Sequence, residues 1–442
     1  MVFGSQLRLR ISPGFEIEDA PVETDKKQKL QLAKFLSSGG LMGPAYASDT
    51  EPGLWMMGTC DPYTSLTIDL QAAKHVKDRL QVDGSGEVAL RPVIQTCMMY
   101  TCIETDGSEE NPNYYTVCKM RISNMSLPLV EDAEPIYDAL DPEALAAVLF
   151  HKISLDAYLA GFMAAQDTAE SWLRSMMICV YHSAQVEQAK LEEEAKNRVQ
   201  RASQANTSFF ASERLLDQDG DLEVQDVLMG YGHSKVAVIP LLVFALMQCD
   251  ALRPSGGNFE PSMDARLCAL SQMASMTPSV LAKAIAPSLI LWSMKEDEAV
   301  MESLPLSMKG INEALESITE DGDGILLMDS PRQVILYLAD RIRPVNRGGK
   351  RSKKVGIEIG PNFEATILSC LKGSRTEPAK WKDLEAFLEG EEFKETPSKE
   401  FESALLEDAP TASGIVNFEE WKMEMALAIQ EDLVKSGDVI AD

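Results

Sequence analysis

The densest chemistry in the chain is a basic run, Arg341, Arg343, Arg347, Lys350, Arg351, Lys353 and Lys354, set in a protein whose formal net charge is −28. Such a local positive pole attracts phosphate, lipid head groups or an acidic partner. Its composition also resembles a nuclear-localisation run, and Gly348 and Gly349 favour a solvated loop, the plainer reading of any charge run. These seven residues are the candidate partner-binding positions. Asp217, Asp219, Gly220, Asp221 and Val224 imitate the start of a calcium loop. That loop needs glycine at its sixth position and a bidentate glutamate at its twelfth, where Leu222 and Leu228 stand, so an acidic loop before a helix is expected. Glu320, Asp321 and Asp323 crowd carboxylates into a glycine-rich turn, a common way for a strand to begin.

His75, His151, His182 and His233 lie far apart, with no cysteine or carboxylate at metal-ligand spacing. A structural or surface role is the expectation for each. No G-x-S-x-G and no G-x-x-x-x-G-K occurs. The sequence therefore predicts no catalytic, cofactor-binding or metal-ligating residue. The cysteines at 60, 97, 102, 118, 179, 249, 268 and 370 contain no CxxC pair and suit reduced thiols. Cys97 and Cys102, five apart in a predicted strand, point to opposite faces. The runs Met98–Met99 and Met176–Met177 read as core filler.

The 442 residues are enough for roughly three domains at ~150 residues each. The balance of 45% hydrophobic and 25% charged residues is that of a folded protein. No apolar stretch approaches the ~18 residues of a membrane span, and Met1–Ile11 lacks the apolar centre of a signal peptide. The acidic surface disfavours bare nucleic acid and anionic bilayers, leaving membrane contact to a basic patch or a partner. From Thr376 onward there are 18 Asp/Glu, six Lys and no Arg.

These groups must be carried by three kinds of element. Residues 1–135 alternate polar and apolar residues at Gln6–Ile11, Leu66–Leu70, Val88–Ile103 and Tyr114–Ile122, with Gly/Pro/Asp clusters between them, which predicts a β-sandwich. At Asp141 the period changes. Asp141 is a good N-cap and Pro142 fits the first helical position, so 136–318 reads as all-helical. Its helices are expected over Asp167–Arg201, Val236–Gln248, Met263–Ser275, Thr277–Trp292 and Leu306–Ile318. In 319–442, strands at Gly324–Met328, Gln333–Leu338 and Val355–Ile359 are followed by helices at Pro378–Leu388 and Phe418–Leu433. The fold class is multi-domain α+β, with separately cored modules in series.

Three stretches, in order, resemble the COPII inner-coat subunits. Gly40-Leu41-Met42-Gly43-Pro44, then Trp55, Pro62, Thr64 and Leu66, is similar to the sandwich of the family's GTPase-activating subunit (Sec-twenty-three type). Leu140 to Ala146 resembles the start of its helical domain. Ile325-Leu326-Leu327-Met328-Asp329, with Gln333 and Tyr337, is similar to its gelsolin-like domain. Arg121 to Pro128 looks more like the sister cargo-adaptor subunit (Sec-twenty-four type). The resemblance implies the C-terminal half of such a subunit, closer to the activating type, with a gelsolin-like third module. It further implies a scaffold in endoplasmic reticulum to Golgi transport, cytoplasmic and peripheral at exit sites and vesicles. The implied partners are the sister inner-coat subunit, the small coat GTPase and an outer-coat subunit, with membrane association through partners and no nucleic acid. The family's zinc module has no counterpart in the sequence, so no cofactor is expected. Its arginine-finger stretch Gly-Gly-Ser-Gln-Ala-Arg-Phe is also absent, so no catalytic residue is carried over. Two rival readings stand beside this one: a GTPase activator using Arg347 or Arg375, and an unrelated acidic interaction protein that uses the basic run.

Overall fold

The structure is a computed structural model. It describes residues 2–17, 37–38, 40–62, 64–72, 92–108, 111–128, 130, 133–204, 233–253, 262–295, 298–304, 324–329, 334–338 and 418–436. It divides into two compact units, Met1–Leu281 with Phe418–Asp442, and Ala282–Asn417.

In the first unit, alternation of side chains in β1 (Val2–Ile11) sends Leu7 and Leu9 inward. The strand lies between β6 (Leu54–Cys60) and β9 (Val93–Ser108), antiparallel to both. β10 (Asn111–Ser126) pairs with β9 at one end of the sheet, and β5 (Tyr46–Ala47) pairs with β6 at the other. Two smaller sheets sit against this one. They are β2 (Phe15–Ile17) with β8 (Leu70–Ala72), and β3 (Ser37–Ser38), β4 (Leu41–Met42) and β7 (Thr67–Ile68). Leu7, Leu9, Leu41, Ala45, Trp55 and Met57 form the shared core, with Ile17 and Leu66 packed on it. The indole Nε1 of Trp55 donates to the Ser38 carbonyl at 2.8 Å, so the buried ring leaves no polar atom unpaired. Gly43 is required at its position. Its φ is +128°, and a Cβ there would lie 2.9 Å from Leu66 Cδ2 and 3.0 Å from the Ser65 carbonyl.

The helical layer opens with α1 (Glu134–Ala139) and α2 (Pro142–Leu159). Asp141 Oδ1 accepts from the amides of Glu143 and Ala144 at 3.0 and 3.1 Å, the cap expected from the sequence. α3 (Phe162–Gln204) runs 43 residues. After α4 (Ser234–Ala237) comes α5 (Ile239–Gln248), which is buried on nearly every side, as an uninterrupted apolar helix must be. α6 (Met263–Met273) and α7 (Pro278–Ile285) follow, and α8 (Phe418–Ser436) packs on α3 and α5. Buried Arg266 of α6 lies 4.5 Å over the Phe162 ring and donates to the Arg253 carbonyl. No helix among the described residues is long and apolar enough to cross a membrane.

The second unit holds an antiparallel sheet in the order β12-β11-β13-β14: Glu298–Leu304, Ser288–Lys295, Gly324–Asp329 and Val334–Leu338. Its register sets Leu291 opposite Leu326, and Leu326 opposite Tyr337.

The overall class is mixed α+β. Several details differ from the sequence expectation. The helix expected at 277–292 ends at Ile285, because Pro287 has no amide to donate and biases Ala286 out of the helical region. The apolar residues after it form β11, which shares a sheet with strands beyond position 319. The hairpin strands β9 and β10 run on to Ser108 and from Asn111, beyond the expected strand ends at Ile103 and Tyr114, because backbone ladder pairing continues there without apolar alternation. The helix at 418 belongs to the helical core of the first unit rather than to the second sheet. The elements expected at Leu306–Ile318, Val355–Ile359 and Pro378–Leu388 lie outside the described residues.

Candidate interaction surface

Where the strand layer of the first unit meets its helices, a cleft of about 520 Å³ is lined by Gly43, Cys60, Asp61, Thr64, His151 and Ser275, among others. Cysteine, histidine and aspartate in one cleft invite a test for nucleophilic chemistry. His151 is buried, and both its ring nitrogens are engaged. Nε2 lies 3.0 Å from the Ala274 carbonyl, and Nδ1 lies 2.8 Å from Thr67 Oγ1. A carbonyl only accepts, so Nε2 carries the proton and Nδ1 accepts from the Thr67 hydroxyl. Burial lowers the imidazole pKa, with the Ala274 carbonyl opposing, and the ring stays neutral. Asp61 is tied into a turn, accepting from Thr64 Oγ1 at 2.7 Å, and Cys60 Sγ faces the Asp61 carbonyl. The histidine is thus a staple joining strand β7, helix α2 and the end of α6. The amide of Ser65 donating to the Ser275 carbonyl at 3.3 Å, and Lys152 paired with Asp69 at 3.1 Å, reinforce the same seam.

The second feature is a sheet face left open. Paired residues of an antiparallel ladder point to one side, so register reads out each face. Leu7 opposite Met98 and Ile11 opposite Ile94 face the core. The other face carries Tyr46 opposite Met56, then Gln6, Met99 and Met120, with Ile122 opposite Cys97 and Thr116 opposite Ile103. Tyr46, Met56, Ile103, Tyr114, Met120 and Ile122 are all exposed, Tyr114 at 66% and Met120 at 63%. Exposed apolar side chains grouped on one face are the usual mark of an interaction site. Arg8, which pairs with Glu51 at 2.9 Å, and Arg10, which bonds Gln95, lie on the same face. Met98–Met99, read as core filler, therefore splits, with Met98 packed inward and Met99 on the open side. Strict alternation in β9 was the signal that could have shown it.

The basic run at Arg341, Arg343, Arg347, Lys350, Arg351, Lys353 and Lys354 lies outside the described residues, as do both acidic clusters, His75 and Arg375. His233 Nδ1 lies 3.1 Å from Asp138 Oδ1 beside the Tyr137 ring, and His182 packs edge-on against Tyr181. Among the described residues no group of three or more His, Cys, Asp or Glu side chains is placed to hold a metal ion.

The described cysteines are free thiols of unequal exposure. Burial pushes the Cys249 thiol up to about 12, with the nearby amides of Leu252 and Ala251 pulling it partly back. Iodoacetamide at mildly alkaline pH is expected to modify exposed Cys118, Cys179 and Cys268 and to spare Cys249, since the thiolate is the reacting species. Peptide mapping by mass spectrometry that finds Cys249 labelled as fast as Cys118 would contradict this.

No protein-family model matches the chain. No curated protein matches it by sequence. By structure the chain has the fold of a COPII-coat protein over nearly its whole length. Among the solved structures it resembles is the crystal structure of the human COPII-coat protein Sec24c, with a TM-score of 0.57 and 14% sequence identity, covering 98% of this chain. The match takes in 45% of that protein's chain, so the present chain spans under half of its length. At this identity the likeness is one of fold, and it does not single out the activating type favoured by the sequence motifs.

Proposed function

We propose that the chain is a component of a COPII-type vesicle coat and acts as a protein-interaction scaffold in transport from the endoplasmic reticulum to the Golgi. The observation that carries this reading is the fold likeness to a COPII-coat protein along 98% of the chain. The motifs at Gly40–Pro44, Leu140–Ala146 and Ile325–Asp329 give independent sequence support. The open apolar face supplies the kind of surface a scaffold uses, while the histidine of the cleft is committed to holding two layers together. On this reading the chain is not an enzyme, needs no cofactor, and carries a gelsolin-like module after its helical layer. It resides in the cytoplasm at exit sites, reaching the membrane through the sister inner-coat subunit, the small coat GTPase and an outer-coat subunit. The basic run from Arg341 to Lys354 offers a positive pole for an acidic partner or lipid head groups.

The test is flotation on liposomes. Purified chain is mixed with the sister subunit and with the coat GTPase held in its GTP state. Recovery of the chain in the floated fraction only when both proteins are present is the expected result. Recovery that is the same with and without them, or no recovery at all, sinks the reading.

A further inference from the structure

The free edge of the five-stranded sheet carries a second message. The Leu127 amide donates to the Pro92 carbonyl, immediately beyond the pair Ser126–Val93. Because ladder bonds alternate along an antiparallel pair, the odd-numbered residues of β10 turn their amides and carbonyls toward β9. The even-numbered residues Tyr114, Thr116, Cys118, Met120, Ile122 and Asn124 therefore turn theirs outward. No described strand pairs with that side. All six are exposed, and none is charged or proline. Pro112 is also even-numbered, so its missing amide costs the sheet nothing. The two charges of β10, Lys119 and Arg121, sit on inward-bonding residues, and the outward-bonding ones are uncharged.

We infer that this edge pairs with the same strand of a second copy of the chain, antiparallel, about a two-fold axis at Cys118. Three features of the strand select that register. Asn111–Ser126 has its midpoint beside Cys118, so this axis gives the longest overlap of any outward-bonding position. It sets Tyr114 against Ile122 and Thr116 against Met120 on the open face, and Tyr115 against Arg121 and Val117 against Lys119 on the other. An aromatic ring beside a β-branched chain, and a guanidinium beside an aromatic ring, are favourable cross-strand neighbours. Moving the axis to Met120 would instead place Lys119 opposite Arg121 twice. β10 contains no carboxylate, in a chain of net charge −28, so neither acid–acid repulsion nor like basic charges meet across the Cys118 axis. The pairing is isologous and closes as a dimer, and it joins the two open apolar faces into one. It stands on the strand edge alone and is independent of the coat reading.

Light scattering coupled to size exclusion on the full chain is expected to give twice the chain mass at high concentration. Cys118 would meet its own copy across the axis, in a hydrogen-bonded pair whose Cα separation of about 5.5 Å admits a disulfide. Copper-phenanthroline, as oxidant, should therefore couple the two Cys118 thiols, taking two electrons and releasing two protons. The covalent dimer should vanish in C118S and persist in C179S and C268S. T116P removes an amide that makes no bond within its own sheet. The variant should keep the parent melting temperature at concentrations where both are monomeric and weaken dimerisation on the order of a hundredfold, because symmetry removes two ladder bonds at once. A chain that remains monomeric at every concentration overturns the inference, including one that takes up an extended peptide at this edge instead. A dimer whose cross-link survives C118S overturns it equally, whether or not T116P folds.

Discussion

Replacing Trp421 by alanine is expected to destabilise the first unit by about 4 kcal/mol, the usual cost of deleting a large buried aromatic ring. Trp421 is 2% exposed and stacks on Phe418, with ring centroids 6.0 Å apart and planes at 28°. It also meets Phe244 of the central helix α5 at 5.4 Å. Its indole Nε1 donates to Glu170 Oε1 at 3.0 Å, so truncation both opens a cavity and leaves a carboxylate without that donor. The rest of α8 depends on this anchor. Met425, Ile429 and Leu433 continue the buried stripe, and the Arg174–Asp432 pair at 3.4 Å, partly exposed at both ends, adds little. Trp421→Phe keeps most of the ring and should cost roughly 1–2 kcal/mol, chiefly the lost hydrogen bond and a small void. Denaturant unfolding followed by tryptophan-independent circular dichroism measures both variants. A loss below about 1 kcal/mol for the alanine variant would mean that α8 is not docked on α3 and α5.

That docking shows where sequence stops informing. The amphipathic stripe of Phe418–Ser436 is plain in the residues, and the helix is where its period places it. The stripe says that a face will be buried but not against what, and the partner residues Glu170 and Phe244 lie more than a hundred positions earlier. Local signals fared better. Asp141-Pro142 specifies a helix start by capping chemistry contained within four residues. The strands at 324–329 and 334–338 are short apolar runs set off in the sequence by Gly322, Gly324 and Pro331, residues that interrupt helices. The run Ser288–Trp292 was ambiguous because a short apolar stretch satisfies helix and buried strand alike, and only Pro287 separates it from the helix before it. The candidate surface was hidden for a related reason. The alternation Tyr-Tyr-Thr-Val-Cys-Lys-Met-Arg-Ile is legible, yet whether its apolar face is covered depends on layers contributed from elsewhere in the chain. The basic run drew attention because charge is visible in sequence, whereas an uncovered face is not.

His151→Phe should be the second large effect, at about 3 kcal/mol and with a distinctive pH signature. Phenylalanine fills the space of the imidazole but leaves the Thr67 hydroxyl and the Ala274 carbonyl facing an apolar ring, two buried groups each costing about 1–3 kcal/mol unpaired. In the parent, burial holds the imidazole pKa below its ordinary value of 6.5. As pH falls through 6.5 the unfolded chain takes up a proton that the native chain still refuses. Stability contributed by the neutral ring is therefore full above that value and drains away on acidification, by up to about 1.4 kcal/mol per pH unit, until the native group also titrates. The variant has no such group, so the stability difference between parent and variant should shrink as pH is lowered from neutral to about 5.5. Every other ionisable group is common to the two proteins and cancels in that difference. Lys152 and Asp69, the ion pair beside the seam, are present in both proteins and drop out of the comparison. Parallel stability–pH lines for the two proteins would show that the ring is not the desolvated staple its two hydrogen bonds describe. The strand and helical layers would then have to be held by the Ser65 and Lys152 contacts instead.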